Sequence, residues 1–335
     1  MNPPDLFPRT VVTRCARFPG LLLAVLAATA LARGQGPFPI VMQTDMPLKN
    51  AQFAGLLLAE EKGWYREAGL EVKIESSQAG IDEARRVAGS DNIVGSIESG
   101  LFLSARAEGL PVVAVGTMFQ ASPLCLISFA KAGIRGPRDL AGRHIVVHAD
   151  GHEALATVLA KAGVPASSVR IDEEDYGNDA LLSGRYDAQQ GYTVDEYVAL
   201  RTEGKDVVAL PLSDYGHVAY SQVYFVSESF LARHRSELVR FLSVSGRGWR
   251  AAVADVPGTA RMIVSRYEPG LSLPYQEESL REIGKLLWAE SPVSGAMRPE
   301  TWSENAGAFL RTHPGATLGP MASWADFTVT REASK

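Results

Sequence analysis

The sequence predicts an α/β protein made of two consecutive α/β blocks followed by a helical tail. Short apolar runs of strand length alternate with segments of helical periodicity over most of the chain, and the alternation starts again after Ser122-Pro123. From Ser227 onward the pattern is mainly helical. Strands separated by helices favour mainly parallel sheets that are covered on both faces. Periodicity leaves open whether the blocks form two lobes or one long doubly wound sheet.

The first block contains four predicted strands and three predicted helices. Alternating apolar and polar residues predict the strand at 70–74, and Gly69 is well placed to end the helix before it. The predicted strands are 39–42, 70–74, 92–95 and 110–116, and the predicted helices are 54–68, 81–88 and 101–108.

The second block repeats this rhythm, and the tail then lacks strand-like segments. The predicted strands are 144–147, 169–171, 186–188 and 206–210, and the predicted helices between them are 152–161, 178–182 and 195–203. The tail helices are expected at 229–234, 236–253, 258–267, 276–288 and 300–312.

The N-terminal segment is typical of a secretory signal peptide. Arg9, Arg14 and Arg17 precede an apolar run at 21–32, and Ala30-Leu31-Ala32 fits the small-x-small cleavage rule. The run is too short for a membrane anchor, because spanning a bilayer core takes about 20 apolar residues. We therefore expect residues 1–32 to be removed and the mature chain to lie outside the cytoplasm, in a periplasm.

Charge and cysteine content restrict the class of partner. The whole chain has a formal net charge of −5. The predicted signal peptide carries three arginines and Asp5, a net +2, so the mature chain would carry −7. Mild acidity argues against nucleic acid as a partner. Only Cys125 remains after cleavage, so no internal disulfide is expected, and about 300 residues suffice for a large core.

Several strings, in order along the chain, identify a family. The string Lys62-Gly63-Trp64-Tyr65 leads into Gly69-Leu70-Glu71-Val72, and Leu181–Ala188, Gly191–Glu196 and Asp214-Tyr215-Gly216 follow. These strings resemble those of the taurine, alkanesulfonate and thiamine-pyrimidine-precursor binding proteins, with the last three closer to the pyrimidine-precursor branch. Matches extend from Asp45 to about Trp249.

The resemblance implies a periplasmic-binding-protein type II fold, with two doubly wound lobes joined by a two-crossing hinge. Lobe one would contain 33–122 and 225–335, with the helical tail returning to it, and lobe two would contain 123–224. It also implies a protein that binds a small molecule, delivers it to the permease of an ABC importer and needs no cofactor. We expect a monomer.

Candidate ligand-binding residues of lobe one lie at strand ends and at the hinge. Asp45 and Met46 follow the first strand, where a doubly wound sheet places its site. Met46 stands where the family has a stacking Trp, so Phe53 is considered as a substitute. Glu98 and Ser99 lie at a helix start, where Ser99 suits an N-cap. The hinge candidates are Phe119, Gln120 and Tyr220, and Gln120 could instead satisfy hinge backbone groups.

Tyr192 and Glu196 are the leading candidates of lobe two. In the pyrimidine-precursor branch, the positions they resemble stack on the ring and hydrogen-bond to it, and a carboxylate can accept from an aminopyrimidine. The alternative is a solvated glutamate at a helix start beside a half-buried tyrosine. Gly151 and His152 open a helix and could also face the cleft.

Metal binding and catalysis are not expected. The His148–Glu153 string lacks the HExxH order of zinc proteases, and no serine lies in a G-x-S-x-G elbow. An enzyme of the same superfamily, the eukaryotic-type thiamine pyrimidine synthase, requires a Schiff-base lysine, a histidine and a cysteine-rich stretch. Aligning the chain with it places Ile97 and Leu101 at the lysine and histidine positions, and 216–220 where the cysteines belong.

We expect a heterocyclic ligand, with an aminopyrimidine thiamine precursor as the first candidate. The alternative ligand class is a small sulfonate or a taurine-like anion. The acidic candidates Asp45, Glu98 and Glu196 would repel an anion, which favours the heterocycle.

Overall fold

The computed structural model describes residues 36–78, 82–148, 151–174 and 177–335. Residues Pro39–Lys335 form one compact unit. The predicted signal peptide lies outside the described residues. None of the described helices is both long enough and apolar enough to cross a membrane.

The first sheet has five strands, and the chain leaves it and comes back to it. Its strands are β1 (Phe38–Gln43), β2 (Leu70–Glu75), β3 (Ile93–Ile97), β4 (Val112–Phe119) and β10 (Ser221–Ser227). Their order is β2-β1-β3-β10-β4. β1 pairs with β3 in parallel, while β10 runs antiparallel to both β3 and β4.

The second sheet is formed from the segment that lies between β4 and β10 in the sequence. Its strands are β5 (Leu124–Phe129), β6 (His144–Val147), β7 (Arg170–Glu173), β8 (Ala188–Tyr192) and β9 (Val207–Pro211), in the order β7-β6-β8-β5-β9. β6 is parallel to β7 and β8, and β5 is antiparallel to β8 and β9. The expected α/β class is confirmed, with both sheets mixed because the returning strands β5 and β10 run against their neighbours.

Thirteen α-helices occur within the described ranges. They are α1 (Ala54–Glu61), α2 (Trp64–Glu67), α3 (Glu83–Ala88), α4 (Ser99–Ala107), α5 (Gly151–Ala162), α6 (Asp179–Leu182), α7 (Glu196–Thr202), α8 (Glu228–Arg233), α9 (Arg235–Ala254), α10 (Val256–Arg266), α11 (Leu273–Leu286), α12 (Pro299–Thr312) and α13 (Val329–Ala333). Short 3-10 helices occur at Ala51–Phe53, Ala130–Ala132, Pro137–Leu140, Ala166–Ser168, Leu212–Tyr215 and Met321–Ser323.

Two predicted elements need correction, and two strands were missed. The single helix expected at 54–68 is two helices, because Gly63 adopts a φ of 70° between α1 and α2. The strand expected at 186–188 begins only at Ala188. The strands β5 and β10 were not predicted, since each follows another strand with no α-helix between them and so falls outside the alternation of strands and helices.

The helical tail packs on the first sheet. Ala114 of β4 forms a parallel bridge with Ala325. Phe102 and Trp302 lie in edge contact at 5.6 Å, and Trp302 and Trp324 at 5.3 Å, so an aromatic core joins α4 to the tail. The return of the tail to the first sheet agrees with the expected architecture.

Close approach of α9 to α1 depends on Gly248. A Cβ at this position would lie 2.0 Å from the carbonyl oxygen of Gly55, so no larger residue fits without moving a backbone. The lobe boundaries themselves, 33–122 with 225–335 and 123–224, stay a prediction, which the membership of the two sheets supports.

Candidate ligand-binding site

Topology brings four polar residues to one edge of the first sheet. Asp45 lies two residues after β1, and Glu98 directly follows β3. Ser221 and Gln222 begin β10, which is antiparallel to β3 with Val223 opposite Ile97. The ends of β1 and β3 and the start of β10 therefore meet at the edge where doubly wound sheets bind ligands.

Asp45 presents a buried carboxylate at this edge. Gln222 Nε2 donates to its Oδ2 across 3.2 Å, while Oδ1 accepts no hydrogen bond from the described residues. Burial raises the pKa of the Asp45 carboxyl to about 7, and the negative charge of Glu83 adds to the effect. The hydrogen bond from Gln222 opposes that shift. Asp45 Oδ1 is therefore an unpaired acceptor, at a site where burial disfavours the charged form of the carboxyl.

Gln222 has an unusual backbone conformation and a buried side chain. Its φ is 56°, and among the described residues it is the one non-glycine with a positive φ. The residue is 3% exposed, and its Oε1 accepts no hydrogen bond from the part of the chain that the structure describes. A left-handed conformation at such a residue costs roughly 1–2 kcal/mol, so the neighbouring contacts hold it there.

Neither Glu98 nor Ser99 caps the start of α4 with its side chain. Glu98 occupies the N-cap position of α4 and forms no side-chain cap, while its carboxylate accepts from Ser221 Oγ. Ser99 is the first helical residue and is 1% exposed. Its hydroxyl has no hydrogen-bond partner among the described residues, so the expectation that Ser99 caps the helix is wrong.

On the second sheet, Tyr192 and Glu196 lie together. Tyr192 ends β8, Glu196 begins α7, and Glu196 Oε2 accepts from the backbone N–H of Tyr192 at 2.9 Å. Both side chains are half-buried. This bond fits the alternative view of Glu196 as a residue that orders a helix start, and leaves its role toward a ligand as a prediction.

Asp195 links the loop after β8 to the 3-10 helix at Ala51–Phe53 and to α11. Its Oδ2 accepts from Gln52 Nε2 at 3.2 Å, and its Oδ1 accepts from the Tyr275 hydroxyl of α11. Burial raises the pKa of the Asp195 carboxyl, and the hydrogen bond from Tyr275 opposes the shift. Ser279 Oγ also donates to the carbonyl of Val194 at 2.6 Å. The strand-end loop of the second sheet therefore lies against the 50–53 segment and α11.

The predicted hinge residues are engaged inside the protein. Gln120 Oε1 accepts from the N–H groups of Glu290 and Ser291 at 2.9 and 2.7 Å, and its Nε2 donates to the carbonyl of Val293 at 2.8 Å. These bonds favour the alternative that Gln120 satisfies backbone groups. The Tyr220 hydroxyl donates to Glu290 Oε2 at 2.7 Å, so Tyr220 and Gln120 both bind the 290–293 loop.

Three further candidates lie at or near the same edge. Met46 is half-buried, and its carbonyl accepts from the Ser77 N–H at 3.0 Å. Phe53 is fully buried in the 3-10 helix that precedes α1. Phe119 is also fully buried and packs edge-on against Trp249 at 6.3 Å. Both phenylalanines are core side chains in this conformation, and Met46 keeps a partly open position.

Gly151 and His152 begin α5. A Cβ at Gly151 would lie 1.6 Å from Gln190 Oε1, which accepts from the His148 N–H, so a larger residue would displace the Gln190 side chain. His152 Nε2 pairs with Glu173 at 2.8 Å on an exposed surface. His148 Nδ1 lies 2.9 Å from the carbonyl of Glu174. Among the described residues, no group of three His, Cys, Asp or Glu side chains could hold a metal.

The family follows from a match that covers well over half of the chain. Residues 50–259 match the model of the family described as NMT1/THI5 like. The chain belongs to this family. The matched residues include the Asp195 and Gln222 regions and strands of both sheets.

Proteins similar in sequence to this chain include two that are named as binding proteins and one that is named as an enzyme. The riboflavin-binding protein RibY of Chloroflexus aurantiacus is 26% identical over 68% of this chain and 68% of its own length. The formylaminopyrimidine-binding protein of Halalkalibacterium halodurans is 27% identical over 76% of this chain and 80% of its own. The 4-amino-5-hydroxymethyl-2-methylpyrimidine phosphate synthase of Legionella pneumophila is 23% identical over 68% and 74%.

A solved structure shares the fold. The periplasmic aliphatic sulphonate binding protein SsuA of Escherichia coli superposes with a TM-score of 0.69 at 15% identity, covering 84% of this chain and 96% of that one. The periplasmic-binding-protein fold implied by the strings is therefore confirmed.

Sequence reasoning did not single out five polar residues at or around this edge. Gln222, Ser221, Gln52 and Tyr275 are polar residues without a motif, and their partners are far away along the chain; 177 residues separate Gln222 from Asp45. Asp195 was part of a recognised string but was not singled out, although it lies in the short loop after β8 (Ala188–Tyr192). Its place after β8 is the one signal that could have identified it.

Proposed function

We propose that this member of the NMT1/THI5-like family is a solute-binding protein that reversibly binds a small heterocycle carrying an amino group, with an aminopyrimidine as the first candidate. The observation that carries the choice of ligand is the pair of carboxylates, Asp45 and Glu98, at the ligand-binding edge of the first sheet. Acceptors there suit an N–H donor and repel a sulfonate. Relatives named for binding riboflavin and formylaminopyrimidine support the heterocycle.

Ligand would lie between the ends of the two sheets. The Asp45 edge would contribute acceptors from one side, and Tyr192 with Glu196 would contribute an aromatic face and a carboxylate from the other. The contacts of Asp195 with Gln52 and Tyr275 support this arrangement, since they hold the strand-end loop of the second sheet against the first block.

A thermal-shift screen tests the proposal. The mature chain, starting at Arg33, is heated with aminopyrimidines, riboflavin, taurine and simple alkanesulfonates. A ligand at 100 times its Kd adds about 2.7 kcal/mol to the free energy of unfolding, which gives a clear rise in Tm. We expect a rise with an amine-bearing heterocycle. A rise with sulfonates alone would overturn the ligand class.

Two variants of Glu196 test whether this residue of lobe two binds the ligand. Glu196→Gln keeps a side-chain oxygen that can accept from the Tyr192 N–H, whereas Glu196→Ala removes it. If Glu196 binds the ligand, both variants weaken binding. If Glu196 only orders the helix start, Glu196→Gln binds as wild type, and the assignment of Glu196 to the ligand is wrong.

The chain is proposed to act without catalysis. Ile97 and Leu101, at the positions aligned with the lysine and histidine of the thiamine pyrimidine synthase, carry no amine or imidazole, so a Schiff base cannot form there. An absorbance band of pyridoxal phosphate in the purified protein, lost on borohydride reduction, would contradict this.

Delivery to the permease of an ABC importer, a periplasmic location and a monomeric state complete the proposal. The export signal expected at 1–32 and the periplasmic designation of the structurally similar protein support the location. Fractionation of cells that express the full chain, with N-terminal sequencing of the mature protein, tests it, and cleavage after Ala32 is the expected result.

A further inference from the structure

One hydrogen-bonded pair of side chains at the edge of the first sheet contains two buried acceptor atoms without partners. Asp45 Oδ1 and Gln222 Oε1 each lack a hydrogen-bond partner within residues 36–78, 82–148, 151–174 and 177–335. Their side chains are joined by the 3.2 Å hydrogen bond from Gln222 Nε2 to Asp45 Oδ2. This bond orients the glutamine amide, because the nitrogen faces the carboxylate and the oxygen is left over.

The arrangement costs the folded protein stability. A buried acceptor without a partner costs about 1–3 kcal/mol, and the positive φ of Gln222 adds backbone strain. Strain and unpaired polar groups persist mainly where function requires them. Their position at the carboxyl ends of β1 and β3 is the place for ligand in this class of sheet.

We propose that Gln222, together with Asp45, is a specificity-determining residue that recognises the amino group of the bound ligand. This inference rests on the proposed binding function. With Asp45 ionised, the two unpaired acceptors of this pair can take the two N–H bonds of a primary amino group, one bond to each oxygen, and affinities are therefore measured at pH 8 or above, since the pKa of Asp45 is about 7. A ligand that carries only acceptors at this position would leave both oxygens unpaired.

The nearby groups agree with this chemistry. Glu98 accepts from Ser221 Oγ, so its carboxylate adds negative potential to the same edge. Arg86 of α3 is 2.6 Å from Glu75 and also donates to Gln43, so its charge is matched by a carboxylate of β2. The edge therefore favours a neutral or cationic amine over an anion.

The test uses a matched pair of ligands. Kd is measured by calorimetry for 4-amino-2-methylpyrimidine and for its methoxy analogue, which lacks the N–H donors, and the ratio of the two constants is compared between variants. Wild type should prefer the amino compound by at least about tenfold, the value of one or two hydrogen bonds. In Gln222→Leu the ratio should fall toward one.

A control separates recognition from stability. Gln189 is a second buried glutamine, whose amide bonds to Leu181, Gly177 and Asn178 within the second block. Gln189→Leu should lower the Tm but keep the wild-type ratio. If Gln222→Leu fails to fold, Asp45→Asn replaces it; this variant turns one acceptor into a donor and should also reduce the ratio.

The outcomes separate the two proposals. If wild type binds neither compound nor any other heterocycle of the screen, the proposed function fails. If wild type prefers the amino compound and both Gln222→Leu and Asp45→Asn keep that preference, the function stands and the role of Gln222 is wrong.

Discussion

Asp45 and Asp195 are both buried carboxylates that follow a strand, yet their surroundings differ. Asp195 has a donor for each oxygen, from Gln52 and Tyr275. Asp45 has a donor for one oxygen and none for the other among the described residues. A carboxylate whose two oxygens both accept hydrogen bonds from the protein stabilises the contact between its partners. A carboxylate with one oxygen unpaired can accept a hydrogen bond from a ligand. The first is therefore assigned to structure and the second to binding.

The largest expected effect concerns Asp45→Asn and pH. The Asp45 carboxyl has a pKa of about 7 in the folded protein against 3.8 in the reference state. Between these values the unfolded chain ionises and the folded one does not, so wild type loses stability as pH rises from about 4 to 7, by up to about 4 kcal/mol. Asp45→Asn removes this loss and should be more stable than wild type at pH 8.

Denaturant unfolding across pH 4 to 8 measures this difference. The gap between Asp45→Asn and wild type should close toward pH 4. Asp206→Asn, a change at an exposed aspartate, is the matched control and should follow wild type throughout. A gap that stays constant with pH would show that Asp45 does not titrate in this way.

Asp195→Ala should lower the free energy of unfolding, whereas Asp45→Asn should raise it at pH 8. The variant leaves the Tyr275 hydroxyl and the Gln52 amide buried without their acceptor, which should lower the free energy of unfolding by roughly 2–3 kcal/mol. Urea denaturation at pH 8 provides the measurement, with Asp206→Ala as control. A variant as stable as wild type would remove the structural role given to Asp195.

Tyr275→Phe should have a smaller effect of the same sign. It deletes one hydrogen bond to Asp195 and keeps the ring, so a loss of about 1 kcal/mol is expected. Tyr215→Phe, which deletes a 3.3 Å bond to the carbonyl of Arg135 at the surface, should cost less. Equal thermal shifts in the two variants would contradict the importance of the Asp195 contacts.

The smallest expected effect is the coupling between the two aspartates. Their described hydrogen bonds share no residue, so the changes in unfolding free energy of Asp45→Asn and Asp195→Asn should add to within about 0.5 kcal/mol in the double variant. A larger coupling energy in this cycle would mean that the two carboxylates belong to one network.

Much of the fold could be predicted from the sequence. Alternation identified β2, apolar runs identified β4 and β6, and the ordered strings identified the family. The strands β5 and β10 were missed because each follows another strand with no α-helix between them, so the alternation of strands and helices does not mark them. The break at Gly63 was missed because helical spacing continues on both sides of it.

The site was predicted only in part. The position of Asp45 and Glu98 at this edge could be predicted because the end of a parallel strand has a known place in the sheet, while their contact with a ligand stays a prediction. Gln222 could not, since its role depends on a positive φ and on a partner 177 positions away. Gln120 lies between β4 and β5 and Tyr220 directly before β10, but their hydrogen bonds run to the 286–298 segment, which no local pattern associates with them.

Native mass spectrometry of the mature protein, purified from its natural export compartment, tests the central claim most directly. The intact complex is weighed, the ligand is released by acid, and its fragments are identified. The predicted result is a small nitrogen heterocycle with a primary amino group, present in wild type and lost in Gln222→Leu. A sulfonate, or a molecule without N–H donors, bound equally by both proteins would contradict the claim.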